Sequence, residues 1–375
     1  MGVLDRTAAI MAAVVAVMIL ESLRIKNVRR LRDAELAEAA QTNIIWGANG
    51  SGKTSLLEAI HLLATGRSFR SHKAGEIISH GQASLIVAGT VRSSNRELFH
   101  TLGIQKTPSG TRIRVDGEQL KSSSQLAYVL PVLLLSVDSF YLLDGGPTIR
   151  RALLDRTLFH VEQRYLDKIK RAFRALQQRN ELLRARASSR LEVWDSQFVS
   201  YAVEMDRYRR TAVDALNVIL KDLSARTGLP DVFLDYRRGW KAGADLGDLL
   251  AAHYDRDREI GFTMDGPHRA EVRILCEGRP ARQVVSRGQG KLVIAALVAA
   301  NAELISTRSG CRPVLLIDDL PADLDRWSLE RALKALLATG CQIFLTTIDK
   351  TVPLTQSMAP IQVFHVEQGK LCASD

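Results

Sequence analysis

The feature that most constrains this chain is a glycine-rich segment between an apolar run and an amphipathic run. Residues 43–46, NIIW, predict a buried strand, and residues 55–65, SLLEAIHLLAT, predict a helix. The segment between them fits the pattern G-x-x-x-x-G-K-[ST] in full, with Gly47, Ala48, Asn49, Gly50, Ser51, Gly52, Lys53 and Thr54. Strand, glycine loop and helix in that order predict an α/β fold whose loop binds phosphate groups.

The residue types in this loop suit phosphate chemistry. Glycines let the backbone wrap closely around a ligand and turn successive N–H groups inward, and the helix N-terminus adds partial positive charge. We predict that residues 47–55, which end at Ser55, bind a nucleotide. Lys53 would reach the β- and γ-phosphates, and Thr54 would be a hydroxyl ligand for Mg²⁺. The alternative is a glycine-rich turn with an exposed lysine, which the flanking strand and helix disfavour.

Length and charge limit the kinds of protein that this chain can be. It has 375 residues, with 51 Lys and Arg against 41 Asp and Glu, and a formal net charge of +10. Apolar residues make up 46%, which excludes a wholly disordered or low-complexity chain. The length exceeds the roughly 250–300 residues at which one core stops growing, so we expect at least two lobes. The basic excess favours an anionic partner, either nucleic acid or phosphate.

Cysteines and apolar runs indicate the compartment. Four widely spaced cysteines are too few for a disulfide framework, and no two are close enough for a zinc-ligand pair, which favours a reduced, cytoplasmic protein. Residues 7–20 carry no charge but are too short to span a bilayer, and no other segment approaches that length, so no membrane partner is expected. We interpret residues 1–17 as a dispensable extension or an upstream-start artefact, with translation beginning at Met18.

A helical segment interrupts the α/β pattern. Residues 150–226 lack glycine and proline, and apolar residues recur there at helical spacing. Two long helices with a break at 187–190 are predicted, and they should form an antiparallel hairpin. The predicted domains are an α/β lobe with a β subdomain over 18–140 and 262–375, and a helical lobe over 141–261.

Basic residues are concentrated at the start of this helical lobe. Residues 150–186 hold 11 Lys and Arg against 4 Asp and Glu. A phosphate-tracking surface for DNA and an ordinary solvated helix face explain this excess about equally well. The candidate DNA contacts are Arg150, Arg151, Lys168, Lys170, Arg171 and Arg174.

A second candidate site element is an apolar strand that ends in two carboxylates. Residues 314–317, VLLI, form a continuous apolar run typical of a buried parallel strand, and Asp318 and Asp319 follow it. Ligands of such sheets gather at the carboxyl ends of the strands. Asp318 would hold Mg²⁺, and Asp319 would orient the attacking water. A solvated turn would show the same residues, but the phosphate-binding loop favours an NTPase site.

A third motif precedes a long apolar helix. Ser286, Gly288 and Gln289 lie in the segment VSRGQG, where a serine and glycines at a helix start can bind an anion. The alternative is an ordinary helix cap. Because the chain already has one phosphate-binding loop, a second one suggests a site that another subunit completes.

This segment resembles the signature motif of ABC-type ATPases, with S-R-G-Q here where transporters have S-G-G-Q. Residues 321–325 look like the D-loop of those proteins. Residues 345–349 occupy the switch position, where the usual histidine is absent and Thr347 is the candidate. The predicted fold is therefore a P-loop NTPase head of ABC type, α/β in class, with an inserted helical lobe.

The order of motifs over residues 18–371 resembles the RecF family of bacterial recombination and gap-repair proteins. The specific pieces are GRSFRS at 66–71, LDGGP at 143–147 with Arg150 and Arg151, GPHR at 266–269, and the S-R-G-Q and Asp318–Asp319 segments. The blocks at 143–147 and 266–269 are not general ABC features, so they discriminate. Val137 and Asp138 replace the usual Pro-Glu, Leu153 an aromatic residue and Asp323 a Glu, which indicates a divergent member.

That resemblance implies an ATP-dependent homodimer that binds duplex DNA, single strands and single-strand/duplex junctions in DNA replication, repair and the SOS response. It implies ATP and Mg²⁺ as cofactors, RecO and RecR as partners, and an indirect role in loading RecA. It implies a weak, DNA-stimulated ATPase in which Lys53, Asp318 and Asp319 are catalytic. Ser286 and Gly288 of one subunit would bind the γ-phosphate held by the other. Arg67, Arg70 and His72 are candidates for a place near the nucleotide or the DNA.

Two other functions remain open from the residues. An ABC transporter ATPase subunit is disfavoured by the 234-residue gap between Gly52 and Ser286 and by the helical hairpin. An ATP-gated DNA scaffold with incidental turnover is favoured by Asp319, which is shorter than the Glu common at that position.

Overall fold

The computed structural model describes residues 18–93, 99–120, 122–187, 191–350 and 360–374. The chain forms two compact units. Unit 1 takes in Met1–Phe140, Ala225–Leu229 and Ser286–Asp375, and unit 2 takes in Tyr141–Ser224 and Pro230–Val285. Residues 1–17 lie outside the described residues, as do residues 188–190 of the predicted helix break, so the extension proposed for residues 1–17 stays a prediction.

The strands and helices are numbered in chain order. The strands are β1 Met18–Val28, β2 Leu31–Leu36, β3 Thr42–Trp46, β4 Leu85–Ser93, β5 Phe99–Thr107, β6 Gly110–Val115, β7 Glu118–Gln119, β8 Val132–Leu135, β9 Val232–Arg237, β10 Glu271–Cys276, β11 Arg279–Pro280, β12 Val314–Ile317, β13 Ile343–Thr347, β14 Ile361–Glu367 and β15 Lys370–Ser374. The helices are α1 Lys53–Thr65, α2 Ala74–Ile77, α3 Ser124–Val129, α4 Tyr141–Asp144, α5 Pro147–Val161, α6 Tyr165–Arg184, α7 Leu191–Thr227, α8 Leu246–Ala252, α9 Tyr254–Ile260, α10 Ala281–Val284, α11 Arg287–Ser309 and α12 Arg326–Ala338.

Unit 1 contains a six-stranded sheet in the order β15-β14-β3-β13-β12-β8. The neighbours from β14 to β8 run parallel, and only the β14–β15 pair is antiparallel. All four residues of β12 and all five of β13 are buried, as expected for parallel strands that are covered on both faces. Parallel pairing brings the carboxyl ends of β3, β12 and β13 to one edge, because Ile317 is opposite Leu345 and Thr347 is opposite Trp46.

A second sheet of unit 1 is antiparallel in the order β2-β1-β4-β5-β6-β7. Its inward side chains, such as Leu23 and Val87, share one hydrophobic core with the buried side chains of α1, such as Leu57 and Leu63. This packing explains why α1 is buried almost all around. The helix that follows the phosphate-binding loop is thereby fixed between two sheets.

Helix α11 is buried in the core of unit 1. It is the one helix among the described residues that has the length and apolar composition to cross a membrane. However, 83% of its apolar window is buried inside the protein, as in the core helix of an α/β unit. Its hydropathy is therefore explained by the core.

Unit 2 departs from the predicted hairpin. The segment predicted as one long first helix is two helices, α5 and α6, because Glu162 adopts an extended backbone with φ −135° and ψ 100°. The chain turns there, and the buried hydroxyl of Tyr165 donates a hydrogen bond of 2.5 Å to Asp155 Oδ1 on α5. The hydroxyl bond ties α6 to α5. The second predicted helix is α7, with 37 residues.

Residues 262–285 also differ from the domain prediction, which assigned them to the α/β lobe. Strand β10 pairs antiparallel with β9, with Val272 opposite Tyr236, and it completes a three-stranded sheet with β11. Because these pairs are made within unit 2, the α/β unit resumes at Ser286. The sequence shows a strand over 271–276 but does not show which strand it pairs with.

A buried ionic network stabilises unit 2. The Arg209 guanidinium, 1% exposed, donates two hydrogen bonds of 2.9 Å to the Asp155 carboxylate. It also donates to the carbonyl of Pro267 at 2.7 Å. The guanidinium is thereby matched by acceptors on two sides, which offsets the cost of taking its charge out of water.

We predict that Asp155→Ala destabilises the protein by about 3–5 kcal/mol, because it leaves the Arg209 charge buried and unpaired. Urea unfolding measures the change. The matched control is Glu330→Ala, which removes the exposed Arg326–Glu330 pair of 3.0 Å and should cost about 0.5 kcal/mol or less. Equal, small losses in both variants would contradict a structural role for the buried network.

Candidate nucleotide-binding site

The predicted loop, the acidic strand end and the end of β13 meet at one edge of the parallel sheet of unit 1. The loop Gly47–Gly52 follows β3, Asp318 and Asp319 follow β12, and Thr346 is the penultimate residue of β13. The parallel register described above places these three strand ends side by side. The residues predicted from separate motifs therefore lie together.

The loop wraps around the Lys53 side chain. Lys53 Nζ donates to the carbonyls of Gly47 at 2.7 Å and Ala48 at 3.0 Å. Gly47 has φ +149°, and a Cβ there would lie 2.3 Å from the carbonyl oxygen of Val366, so only glycine fits. Gly52 is the N-cap residue of α1 and provides no side-chain cap, which leaves the first N–H groups of the helix for a ligand.

Segments distant in sequence hold the loop in place. The Arg30 guanidinium donates to the Gly50 carbonyl at 2.6 Å, and the N–H of Gly369 donates to the Ser51 carbonyl at 3.0 Å. The Trp46 ring stacks on His365, with ring centroids 4.0 Å apart. The β1–β2 turn and the β14–β15 hairpin therefore support the loop. Arg30 and Gly369 were not predicted from the sequence, because no local pattern links either residue to the phosphate-binding loop.

The side chains in this pocket fit a magnesium-bound nucleotide. Ser51 Oγ is buried and has no hydrogen-bond partner within the described part of the chain, so it can donate to a ligand. Thr54 Oγ1 lies 3.0 and 3.1 Å from the two carboxylate oxygens of Asp318. A hydroxyl and a carboxylate are oxygen ligands of the kind Mg²⁺ prefers, and Mg²⁺ usually takes one or two protein ligands besides phosphate oxygens and water.

Asp318 is the electrostatic centre of the site. Burial raises the pKa of the Asp318 carboxyl above its ordinary value, and hydrogen bonds from Thr346 and Thr54 partly oppose this. Thr346 Oγ1 donates to Asp318 at 2.7 Å and accepts from the N–H of Asp319 at 2.9 Å. Thr346 therefore orients both acidic residues. The sequence pointed to the next residue, Thr347, whose hydroxyl instead accepts from Asp349 N–H in a local turn.

Lys53 and Asp319 complete the charges around Asp318. Burial lowers the pKa of Lys53, while the negative charges of Asp319 and Asp318 raise it. Asp319 has φ +53°, a left-handed conformation that is uncommon for a residue with a side chain and typical of functional sites. The three predicted catalytic residues are thus within electrostatic range of one another.

The Ser286 motif forms a capping box at the start of α11. Ser286 Oγ accepts from the N–H of Gln289 at 3.3 Å, and Gln289 Oε1 accepts from the N–H of Ser286 at 2.9 Å. This geometry realises the helix-cap alternative for Ser286 and Gln289. Both residues are exposed and a helix N-terminus keeps unpaired N–H groups, so this end of α11 can also bind an anion.

Lys291 links the start of α11 to the loop after β12. Its buried Nζ donates to the carbonyls of Asp319, at 3.2 Å, and Ala322, and it lies 3.6 Å from Asp323 Oδ2. A lysine on an otherwise apolar, buried helix was the signal in the sequence, but its partners become evident only in the fold.

The GRSFRS segment contributes Ser68 and Arg70 to an ionic cluster around Glu58. Glu58 is fully buried, and Arg29 Nε donates to it at 3.0 Å. Arg70 Nη1 lies 4.0 Å from Glu58, and its charge acts to lower the pKa of Asp318 against the larger effect of burial. Arg70 is therefore near the site, although its side chain is exposed, as are those of Arg67 and His72.

The candidate DNA contacts divide into two groups in unit 2. Arg150 pairs bidentately with Glu271 at 2.9 and 2.8 Å, Arg151 donates to the Ala270 carbonyl at 2.7 Å, and Lys168 pairs with Glu204 at 2.9 Å. Internal partners thus engage these three cations. Lys170, Arg171 and Arg174 are exposed and share one face of α6, where Arg171 pairs with Asp167.

Comparisons with known proteins agree with this geometry. The family model described as RecF/RecN/SMC N terminal domain matches residues 19–371. The DNA replication and repair protein RecF of Pseudomonas paraeruginosa is 40% identical over 363 residues, which cover 94% of this chain and 97% of that protein. The protein of the same name from Shewanella baltica is 38% identical over 360 residues, which cover 94% and 99%.

Solved structures give the same result. The recombination mediator protein RecF of the RecFOR pathway, with ATP, matches with a TM-score of 0.83 and 25% identity over 96% of this chain and 98% of that one. The Smc head domain of Pyrococcus furiosus, with 17% identity, matches over 96% of both chains with a TM-score of 0.59 and shares the fold. The predicted ABC-type head and the predicted resemblance are confirmed.

We predict that Asp318→Asn stabilises the nucleotide-free protein at neutral pH by about 0.5–2 kcal/mol. The folded-state pKa of Asp318 is raised, so the fold disfavours the ionised carboxyl, and the wild-type protein loses stability as the pH rises through that pKa. The amide of the variant stays neutral at every pH, so the variant does not undergo this loss. The advantage over wild type should shrink as the pH falls into the acidic range, because Asp318 itself then takes up a proton.

Urea unfolding at neutral and acidic pH measures this difference. The control is Asp33→Asn on β2, where the side chain is exposed and the change should stay within about 0.5 kcal/mol at both pH values. A loss of stability in Asp318→Asn at neutral pH would show that the carboxylate charge supports the fold.

Proposed function

This chain belongs to the RecF family of DNA replication and repair proteins, and from that premise we propose that it is an ATP-dependent DNA-binding protein that works as a homodimer on gapped DNA. The observation that supports the proposal is that one chain contains a glycine loop with the geometry of a phosphate-binding loop and, separately, the exposed N-terminus of a long helix that begins in the signature motif. One is the loop Gly47–Thr54 with Asp318, and the other is the N-terminus of α11 at Ser286.

The first site would hold ATP and Mg²⁺ on one subunit. Thr54 and Asp318 would hold the metal, which would neutralise charge on the phosphate oxygens. Lys53, which now donates to the Gly47 and Ala48 carbonyls, would exchange those bonds for phosphate oxygens. Asp319 would orient and deprotonate a water, and its side chain is short for that task, so slow turnover is expected.

The second site would serve the nucleotide of the other subunit. Ser286 and Gly288 at the α11 N-terminus would meet the γ-phosphate, and a two-fold axis would create two such composite sites. ATP would then favour the closed dimer, because only that state uses both sites. The contacts of Lys291 with the Asp319 carbonyl and the D-loop would couple the signature helix to the catalytic carboxylate.

The closed dimer would bind duplex DNA and single-strand/duplex junctions, and hydrolysis would release them. By analogy with relatives named for the RecFOR pathway, it would act in the cytoplasm with RecO and RecR and help to load RecA. An ATP-gated scaffold with incidental turnover is the second candidate, favoured by the short Asp319 side chain. Among the residues that the structure describes, no contact in the site favours a transporter subunit.

We expect the wild-type chain to dimerise and to bind blunt duplex DNA with ATP and Mg²⁺, and to do neither with ADP or without nucleotide. Light scattering measures dimerisation, and fluorescence anisotropy measures DNA binding. Lys53→Met, which removes the phosphate-contacting ammonium, should lower ATP affinity at least about tenfold and abolish both responses. Wild-type affinity for ATP and DNA in that variant would remove the loop from the mechanism. ATP turnover measured with and without duplex DNA separates an enzyme from a scaffold.

The signature site can be tested with two capping variants. Aspartate and asparagine both cap helices as well as serine does, so Ser286→Asp and Ser286→Asn should keep α11 intact. The added negative charge of Ser286→Asp should repel a γ-phosphate and abolish ATP-induced dimerisation, whereas Ser286→Asn should keep most of it. ATP binding by the monomer should survive in both. Normal dimerisation of Ser286→Asp would contradict the shared site.

A further inference from the structure

Helices α6 and α7 of unit 2 enclose an open groove of about 590 Å³ whose two walls differ in chemistry. The lining residues are Asp167, Lys170, Arg171, Arg174, Trp194, Gln197 and Tyr201. The α6 residues lie at helical steps of three and four, so they form one face, and the α7 residues do the same at steps of three and four. One wall is therefore cationic and the other is aromatic.

The cationic wall carries a net positive charge. Arg171 pairs with Asp167 at 2.7 Å, which neutralises the acidic residue of the groove. Hydrogen bonds to Tyr201 and Asp167 raise the pKa of Arg171, so its guanidinium stays charged. Lys170 and Arg174 are exposed and make no hydrogen bond or ion pair with any other residue in the described ranges. Two positive charges thus face the groove without a counter-charge.

The aromatic wall is fixed by packing. Trp194 is half-buried against a small hydrophobic core that includes Phe198 and Leu246, while it also lines the groove. Tyr201 is held by the ammonium of Lys168, which lies 5.6 Å from its ring centroid. Because Lys168 lies over one face of the Tyr201 ring, a planar ligand would stack on the opposite face, and both rings are already fixed, so little side-chain entropy would be lost.

We propose that this groove binds single-stranded nucleic acid, with bases stacked on Trp194 and Tyr201 and phosphates against Lys170 and Arg174. The inference rests on the proposed DNA-binding function and adds which part of gapped DNA unit 2 takes. A duplex hides its base faces within its own stack, so only unpaired bases can use the aromatic wall. Aromatic platforms beside a cationic track are the common design of sequence-tolerant single-strand binding.

The experiment measures the affinity of the full chain, without nucleotide, for a fluorescent oligo-dT and for an abasic strand of the same length. Trp194→Leu keeps an apolar side chain against the Phe198 core but removes the ring face. It should weaken oligo-dT binding about tenfold and leave abasic binding unchanged. Trp194→Phe restores a ring and should recover most of the affinity. Trp327→Leu, at an exposed tryptophan of unit 1, is the matched control and should change neither.

The phosphate contacts have a separate signature. The double variant Lys170→Gln/Arg174→Gln should weaken oligo-dT and abasic binding alike. Because each contact to a single strand contributes about 0.7 to the slope of log affinity against log salt, the slope should fall by about 1.4. An unchanged slope would remove these two cations from the site.

Three results would overturn the proposal. The first is an oligo-dT affinity of Trp194→Leu equal to that of the wild-type protein. The second is that the wild-type protein binds oligo-dT and the abasic strand equally well. The last is that poly-glutamate of equal charge competes as effectively as oligo-dT. The last would indicate an acidic peptide partner. Failure of the proposed function is distinguishable, because it appears as lost ATP-dependent duplex binding while oligo-dT binding stays intact.

Discussion

The hydrogen bonds that Asp318 accepts from Thr54 and Thr346 are the interaction on which the site depends. They join residues separated by 264 and 28 positions in the chain, and they form only when β3, β13 and β12 are adjacent and parallel. Their energetic cost is a buried carboxyl whose ionised form is disfavoured. The protein thus has a lower free energy of unfolding because it buries a carboxylate where a magnesium ion and phosphate groups would meet. Such a loss of stability is common at functional sites.

Much of the fold could be predicted from local pattern, and the failures have one cause. Apolar runs such as residues 314–317 and the loop Gly47–Thr54 are determined within a few residues, so the sequence predicts them well. The supports of that loop, Arg30 and Gly369, and the partner strand of β10 depend on which distant segments meet. No local sequence pattern shows which distant segments are in contact. For this reason the predicted domain boundary lies at 262, whereas unit 1 resumes at Ser286.

The basic helical lobe shows the same limit for function. Counting charges treated Arg150 and Arg174 as equal candidates, yet Arg150 neutralises Glu271 inside unit 2 and Arg174 faces the groove between α6 and α7. Conversely, the seven-residue spacing of Trp194 and Tyr201 in the sequence is that of two apolar residues on one helix face. Only the spatial pairing of two helix faces distinguishes a cation with an internal partner from one that faces a groove, and a core aromatic residue from a half-buried one that lines the groove.

The strand order of the parallel sheet has a consequence for biosynthesis. Strands β3 and β8 leave the ribosome first, but they are not neighbours, because β12 and β13 lie between them. The nascent chain must therefore keep both edges of β3 and the inner edge of β8 unpaired while all of unit 2 and the apolar helix α11 are being made. Since unpaired edges invite aggregation, early folding of unit 2 on its own would shorten the loop that separates the two halves. A nascent chain that pauses before residue 343 would be the species most in need of a chaperone.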